Sequence, residues 1–236
     1  MTDHDLPGSL GERLLQEHLG TTDRAAAFYD RQVQPCLTPA MREFIARQSM
    51  VFLSTADSRG ACDASFRSGP PGFCVALDDR TLTYPEYRGN GVLASAGNIT
   101  ENAHIGMLFM DFTHDHIGLH VNGTARLHTD HEQRAWFPHL PIETAPGRQP
   151  HLWVHITVEE AYVHCSKHIP HLEPAPRPRP APDRGRPKDS AYFTQTDPAY
   201  RTAPDTDPAY QAAPGAGRGD RPAAPWRSRL TLRRRA

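Results

Sequence analysis

The stretch FCVALDDRTLTY, residues 73–84, contains two strand-like runs joined by Asp78-Asp79-Arg80. The runs, residues 73–77 and 81–84, are rich in apolar, β-branched and aromatic side chains, and the polar triplet between them suits a tight hairpin. A hairpin pairs its strands antiparallel, whereas parallel neighbours need a crossover of a dozen or more residues. The stretch therefore predicts an antiparallel sheet.

Five more strands are predicted on either side of this hairpin. No helix pattern alternates with the strands, which favours an antiparallel barrel or sandwich over a doubly wound sheet. The fold class is therefore mostly β with flanking helices, an α+β arrangement. The other predicted strands are residues 50–56, 61–66, 105–111, 117–127 and 152–163, and residues 57–60 form a turn.

The N-terminal part has helix-capping patterns. Ser9 precedes Glu12 by three residues, which is the spacing of a capping box, and Gly20 is a natural helix stop. Thr38 followed by Pro39 is a second start, ahead of a predicted helix over residues 41–48. These patterns predict a helical segment over residues 1–48 that packs on a barrel domain of residues 49–172.

The composition changes after residue 172. Residues 173–236 contain 12 of the 23 prolines and no Val, Ile or Met, and carry 13 Lys and Arg against 7 Asp and Glu. Such a segment buries too little apolar surface to offset the entropy of ordering, so a disordered tail is predicted. Residues 1–172 carry 13 basic against 20 acidic groups, which argues against nucleic acid as a partner.

The sequence contains no apolar run of about 18 residues that would span a membrane, and no secretion signal opens it. Its four cysteines are scattered, without a CxxC pair. These observations predict a cytoplasmic protein with reduced thiols and no membrane partner.

Two clusters suit an anionic ligand. TYPEYRGNGVLASAGN, residues 83–98, combines Arg88 with glycines that let the backbone approach a ligand, and a short helix is predicted from about Gly91. Ser65-Phe66-Arg67 adds a hydroxyl group and a second arginine at the end of a strand. Two ordinary hairpin ends with surface arginines are the alternative.

Further motifs follow in a fixed order and spacing. They are VFLSTADSRG (51–60), SFRSGPPGF (65–73), SAGNITENAHIGMLFMDF (95–112), GLHVNGTARLH (118–128) and EEAYVHCSKHIP (159–170). Together with the stretch 77–91 they resemble the pyridoxamine 5'-phosphate oxidase-like proteins, which have the FMN-binding split β-barrel fold. The resemblance covers residues 11–170.

The resemblance implies a homodimer with FMN between two barrels. Carried over residue by residue, one wall is the strand end around Arg67, the second wall is the glycine loop, and Asn98 closes the site. The cofactor-binding residues implied in this way are Ser65, Phe66, Arg67, Tyr84, Arg88, Gly89, Asn90 and Asn98.

The sequence also departs from the oxidases. Residues 92–95, Val-Leu-Ala-Ser, stand near the place of an Arg-Lys pair that the oxidases carry, and the Trp-Arg-Ser-Arg-Leu of residues 226–230 has altered spacing. Pyridoxamine phosphate is therefore not the expected substrate, although another small molecule is.

The histidines and a neighbouring cysteine allow other roles. His164, Cys165 and His168 suit a metal by residue type, a flavin or substrate wall by the resemblance, or a structural role. His164 and Cys165 would lie on opposite faces of a strand, so no metal site is predicted. The histidines at 114, 116, 120 and 128 are expected in exposed loops and at the barrel rim, and Asp111 is expected to cap a turn.

The resemblance implies an FMN-dependent oxidoreductase that moves two electrons between a small organic substrate and oxygen or another acceptor. No residue is assigned as a general acid or base, because the flavin itself carries the chemistry. The alternative is a non-catalytic flavin- or haem-binding protein that carries or senses its cofactor. A deazaflavin user on the same fold is a third hypothesis.

Overall fold

The computed structural model describes residues 7–142 and 148–173, which form five helices and seven strands. The helices are α1 (Leu10–Leu19), α2 (Thr22–Gln32), α3 (Pro39–Arg47), α4 (Ala94–Glu101) and α5 (Asp130–Trp136). The strands are β1 (Met50–Ala56), β2 (Cys62–Ser68), β3 (Val75–Ala76), β4 (Thr81–Tyr87), β5 (His104–Asp111), β6 (Ile117–His128) and β7 (Pro150–His164).

All seven strands join one antiparallel sheet in the order β2-β1-β5-β6-β7-β4-β3. The predicted hairpin is β3-β4, with Val75 opposite Thr83, and the Arg80 amide donates to Asp78 Oδ1 at 2.7 Å in its turn. The antiparallel barrel prediction is confirmed. Strand β3 is shorter than predicted, because the Phe73 amide donates to the Pro70 carbonyl in a turn.

The core lies on one face of the sheet because side chains alternate along each strand. In β5, Ile105, Met107 and Phe109 are buried and the residues between them are more exposed. Core partners from other elements include Ile45, Val51, Leu53, Leu82, Leu119, Val121, Val154, Ile156 and Val158.

Strands β6 and β7 form the longest pairing, and one glycine sets its register. The register shifts between Asn122 and Gly123, where a Cβ atom on Gly123 would lie 2.0 Å from the carbonyl oxygen of Thr157. Only glycine allows the two backbones to approach so closely.

The capping predictions for the first and third helices are confirmed. The hydroxyl oxygen of Ser9 accepts from the Glu12 amide and that of Thr38 from the Met41 amide, while Gly20 ends α1 with a φ of 65°. Helix α4 begins at Ala94 instead of Gly91. The reason is local, since Asn90 Oδ1 accepts from the Val92 amide and holds these residues in a turn.

Helix α5 was not predicted, although its capping box was readable. Thr129 caps the Glu132 amide and the Glu132 side chain accepts from the Thr129 amide. The helix is fastened to β7 by Asp130, whose Oδ1 accepts from the indole Nε1 of Trp153 at 2.7 Å.

The chain divides into two units, Met1–Pro174 and Ala175–Ala236, and the described residues belong to the first. The predicted disordered tail, residues 173–236, lies outside the described residues except for Glu173. Among the described helices, none is both long and apolar enough to cross a membrane.

Candidate functional site

Strand β2 places the predicted cofactor residues on two faces. Asp63, Ser65 and Arg67 are half-buried on one face, while Phe66 is 51% exposed on the other. The Phe66 ring packs against Phe52, with ring centroids 5.4 Å apart. The structure therefore separates Phe66 from Ser65 and Arg67.

Arg67 pairs with a residue that the sequence reasoning missed. Its Nε donates to Glu86 Oε2 at 3.0 Å, and its Nη1 donates to the Phe66 carbonyl at 3.1 Å. The side chains of Arg67 and Glu86 are only 20% and 10% exposed. The pair joins β2 at one edge of the sheet to β4, which lies next to the other edge.

Ser65 belongs to a second group of missed residues. Its Oγ donates to Asp63 Oδ2 at 2.9 Å, and the buried Ser95 of α4 lies 2.9 Å from Ser65 Oγ and 3.1 Å from Asp63 Oδ2. Five polar side chains lie where β2, β4 and α4 come close together, and we call this group the seam. The seam consists of Asp63, Ser65, Arg67, Glu86 and Ser95.

Tyr84 lies in the core rather than on an open wall. Its side chain is fully buried, and its hydroxyl has no hydrogen-bond partner among the described residues. Burial raises the pKa of the Tyr84 phenol well above its usual value, the charge of Glu86 adds to this, and Arg67 opposes it.

The glycine loop is exposed. Arg88, Gly89 and Asn90 all lie at the surface, and the Asn90 side chain closes the turn to Val92. Val92 and Leu93, near the place of the oxidases' Arg-Lys pair, are 70% and 44% exposed. The loop thus presents one cation beside two apolar side chains.

Asn98 fastens helix α4 to the sheet. Its Nδ2 donates to Thr55 Oγ1 of β1 at 3.1 Å, and Thr55 is buried. This bond holds the helix that also carries Ser95. Asn98 therefore supports one side of the seam in this structure.

The histidines form a separate group. Of the four histidines expected in exposed loops and at the barrel rim, His114 is exposed, whereas His116, His120 and His128 are half-buried. His120 stacks on Tyr162, and its Nε2 lies 2.9 Å from His164 Nδ1. Burial and the neighbouring His164 lower the pKa of His120. Cys165 is exposed. Within residues 7–142 and 148–173, no three His, Cys, Asp or Glu side chains are grouped so that they could hold a metal ion.

Asp111 caps a turn, as predicted. Its carboxylate accepts from the amides of Thr113, His114 and Asp115 at 2.9–3.2 Å. These bonds lower its pKa to about 2, although burial acts in the opposite direction. A carboxylate held in this way is structural.

Five of the cavities among the described residues have volumes of about 230–660 Å³, and none of these five is lined by a predicted cofactor residue. Within the seam, Asp63, Ser65 and Arg67 are half-buried, and Glu86 and Ser95 are buried.

A family model described as pyridoxamine 5'-phosphate oxidase matches residues 37–165, more than half of the 236 residues. The chain belongs to the pyridoxamine 5'-phosphate oxidase family. Its antiparallel barrel with flanking helices is thus a flavin-binding, oxidoreductase-type fold. A search among curated proteins found no match.

Several solved structures are similar to this chain at low sequence identity. Group A Streptococcus HupZ is 22% identical over 54% of this chain and 93% of its own, with a TM-score of 0.39. A Lactobacillus delbrueckii protein described as a candidate pyridoxamine 5'-phosphate oxidase is 21% identical over 55% and 95%, with a TM-score of 0.41. Bacillus anthracis General Stress Protein 26 is 17% identical over 51% and 88%, with a TM-score of 0.37. Such values do not identify a ligand for this chain.

Proposed function

We propose that this protein is an FMN-dependent oxidoreductase that transfers two electrons between a small organic substrate and oxygen or another acceptor. The observation that carries the proposal is the half-buried Arg67, which Glu86 orients at the seam. An arginine fixed by a carboxylate is a preorganised donor for an anionic group. Family membership supplies the context in which that anion is a flavin phosphate.

The Arg67 end of the seam fits the phosphate of FMN. Arginine has five N–H donors, and the contacts to Glu86 and to the Phe66 carbonyl use two of them. The cofactor set is thus Arg67 with Arg88, Gly89 and Asn90 at the exposed loop, while Tyr84 and Asn98 support the site from the core and from α4.

The residues of this chain bind and orient, and the flavin supplies the two-electron chemistry when it is bound. Arg67 contributes positive charge in a half-buried position, where charge interactions are stronger than in water. Glu86 limits the rotation of the guanidinium. Arg88 contributes charge from the loop, where solvent screens it more strongly.

A homodimer is part of the proposal. Phe66, Phe52 and Leu108 lie directly opposite one another on β2, β1 and β5, and the two phenylalanines are 51% and 41% exposed. A row of exposed apolar side chains on a sheet face is typical of an interface. A second copy docked on this face would cover these side chains, whereas the seam residues of β2 lie on its opposite face.

The test is the identity and use of the cofactor. The full-length protein is purified under native conditions, its visible spectrum is recorded, and the small molecules released by denaturation are separated by chromatography. FMN with turnover under an external reductant supports the proposal. FMN without turnover indicates a carrier or sensor, and a deazaflavin, haem or no binding after reconstitution contradicts the FMN assignment.

A further inference from the structure

The seryl hydroxyls of the seam already donate within the protein. A hydroxyl has one proton to give. Ser65 gives its proton to Asp63 Oδ2, and Ser95 gives its own to Asp63 Oδ2 or to Ser65 Oγ, at 2.9–3.1 Å. The side chains at the α4 end of the seam therefore offer only acceptor lone pairs to a ligand.

A phosphate does not match this end of the seam. A phosphate oxygen needs donors or positive charge, whereas Asp63 brings a negative charge and a second carboxylate oxygen without a hydrogen bond from the described residues. Hydroxyl groups of a ligand match it well, because each donates a proton to a charged acceptor. Such charge-assisted bonds are stronger than neutral ones.

The opposite charge lies further along the same face of β2. Asp63 and Arg67 are four residues apart in one strand, a distance of roughly 13 Å at the usual rise per residue. The seam is therefore negative at the Asp63 end, whereas at the Arg67 end the guanidinium balances the charge of Glu86 and keeps N–H donors that no described residue uses. An extended ligand with a phosphate at one end and hydroxyl groups along its length fits in one direction.

We infer that Asp63 selects and orients the ligand, because it accepts hydrogen bonds from the hydroxyl groups of a polyol chain and keeps a phosphate at the Arg67 end. The inference rests on the proposed function and deepens it. Ser65, which the sequence suggested as a phosphate contact, then does not bind the phosphate. The orientation of the ligand depends instead on the carboxylate of Asp63.

The experiment compares FMN with riboflavin, which has the same polyol chain without phosphate. Full-length apoprotein is titrated with each flavin by fluorescence, as wild type and as Asp63→Asn. The variant should bind riboflavin about tenfold more weakly, because a charge-assisted bond is lost. FMN should lose threefold or less, because repulsion of the phosphate is relieved as well. Glu43→Gln removes one exposed charge of α3 and should change neither affinity.

Ser65→Ala provides a second measurement that does not depend on Asp63→Asn folding. If Asp63 rather than Ser65 determines the orientation of the ligand, Ser65→Ala should leave the ratio of the FMN and riboflavin affinities unchanged. A loss of fivefold or more for FMN alone would assign Ser65 to the phosphate and overturn the inference. Equal losses of both flavins in Asp63→Asn overturn it too. A wild-type protein that binds neither flavin instead overturns the proposed function, and the inference with it.

Discussion

Arg67 Nε and Glu86 Oε2 lie 3.0 Å apart and connect the two ends of the sheet through side chains. β2 is an edge strand, and β4 is followed only by the two-residue strand β3. The described pairings place no backbone ladder between β2 and β4. The pair therefore closes the barrel at the position proposed for the cofactor.

Replacement of Arg67 by alanine should weaken FMN binding by about one to two decades, because hydrogen bonds to charged groups contribute roughly 1.5–3 kcal/mol. Riboflavin, which has no phosphate, should lose much less. Arg59→Ala is the matched control, since Arg59 also pairs with a carboxylate, Asp57, but in an exposed turn. Equal losses of FMN and riboflavin would make Arg67 a structural residue.

Tyr84→Phe should leave the apoprotein as stable as wild type or stabilise it by about 1 kcal/mol, because a buried hydroxyl without a partner is removed. Urea unfolding measures this. Tyr29→Phe should destabilise instead, since the Tyr29 hydroxyl donates to Glu12 and accepts from Gln16. Loss of FMN affinity in Tyr84→Phe would assign this hydroxyl to the cofactor.

Gly123→Ala should lower the free energy of unfolding by about 2 kcal/mol or more, because its Cβ would meet the Thr157 carbonyl and force β6 and β7 apart. Gly97→Ala in α4 is the control. No heavy atom lies within 4 Å of a Cβ there, so alanine should stabilise the helix by about 0.5–1 kcal/mol. Equal stability of the two variants in urea would contradict the tight β6-β7 approach.

The protein should lose stability as the pH falls below about 6.5, the usual pKa of histidine. A lowered folded pKa means that the unfolded state binds more protons in this range, so protonation favours unfolding. His120 and His155 both have lowered pKa values, first through burial. For His120, the nearby His164 lowers the value further and Glu160 opposes it.

His120→Phe keeps a ring on Tyr162 and removes the titration, so the loss of stability between pH 7 and pH 5 should become smaller. Part of the loss of stability should remain in this variant, because His155 also has a lowered pKa. As a control, His139→Gln removes an exposed histidine and should have the same dependence of stability on pH as the wild type. Thermal unfolding at several pH values measures the slopes, and identical slopes for wild type and His120→Phe would refute this assignment.

The FMN-loaded protein should have the mass of a dimer in light scattering. Phe52→Ser with Phe66→Ser should shift it toward the monomer, because both substitutions remove exposed apolar side chains from the proposed interface. Trp136→Ser, which changes an aromatic residue that is 58% exposed on α5, should remain a dimer. A monomeric mass for the loaded wild type would contradict the proposed dimer.

Short stretches of the sequence predict much of the fold. The hairpin at Asp78-Asp79-Arg80 determined the antiparallel pairing, and Ser9 and Thr38 marked two helix starts. Side chains alternate between the two faces of a strand, so the sequence of β2 also predicts that Asp63, Ser65 and Arg67 share a face and that Phe66 lies on the other. These features depend on a few neighbouring residues, so sequence alone determines them.

The partners within the site were decided by the tertiary structure. Arg67 meets Glu86 from 19 residues away, and Ser95 reaches Asp63 across 32. The resemblance implied Tyr84 as a cofactor-binding residue, but its side chain is fully buried, because β4 lies between β3 and β7 and the core packs over it. Strand order and sheet curvature result from packing of the whole chain. They decide which charges are neutralised and which hydroxyl protons are used, and therefore what the seam can offer a ligand.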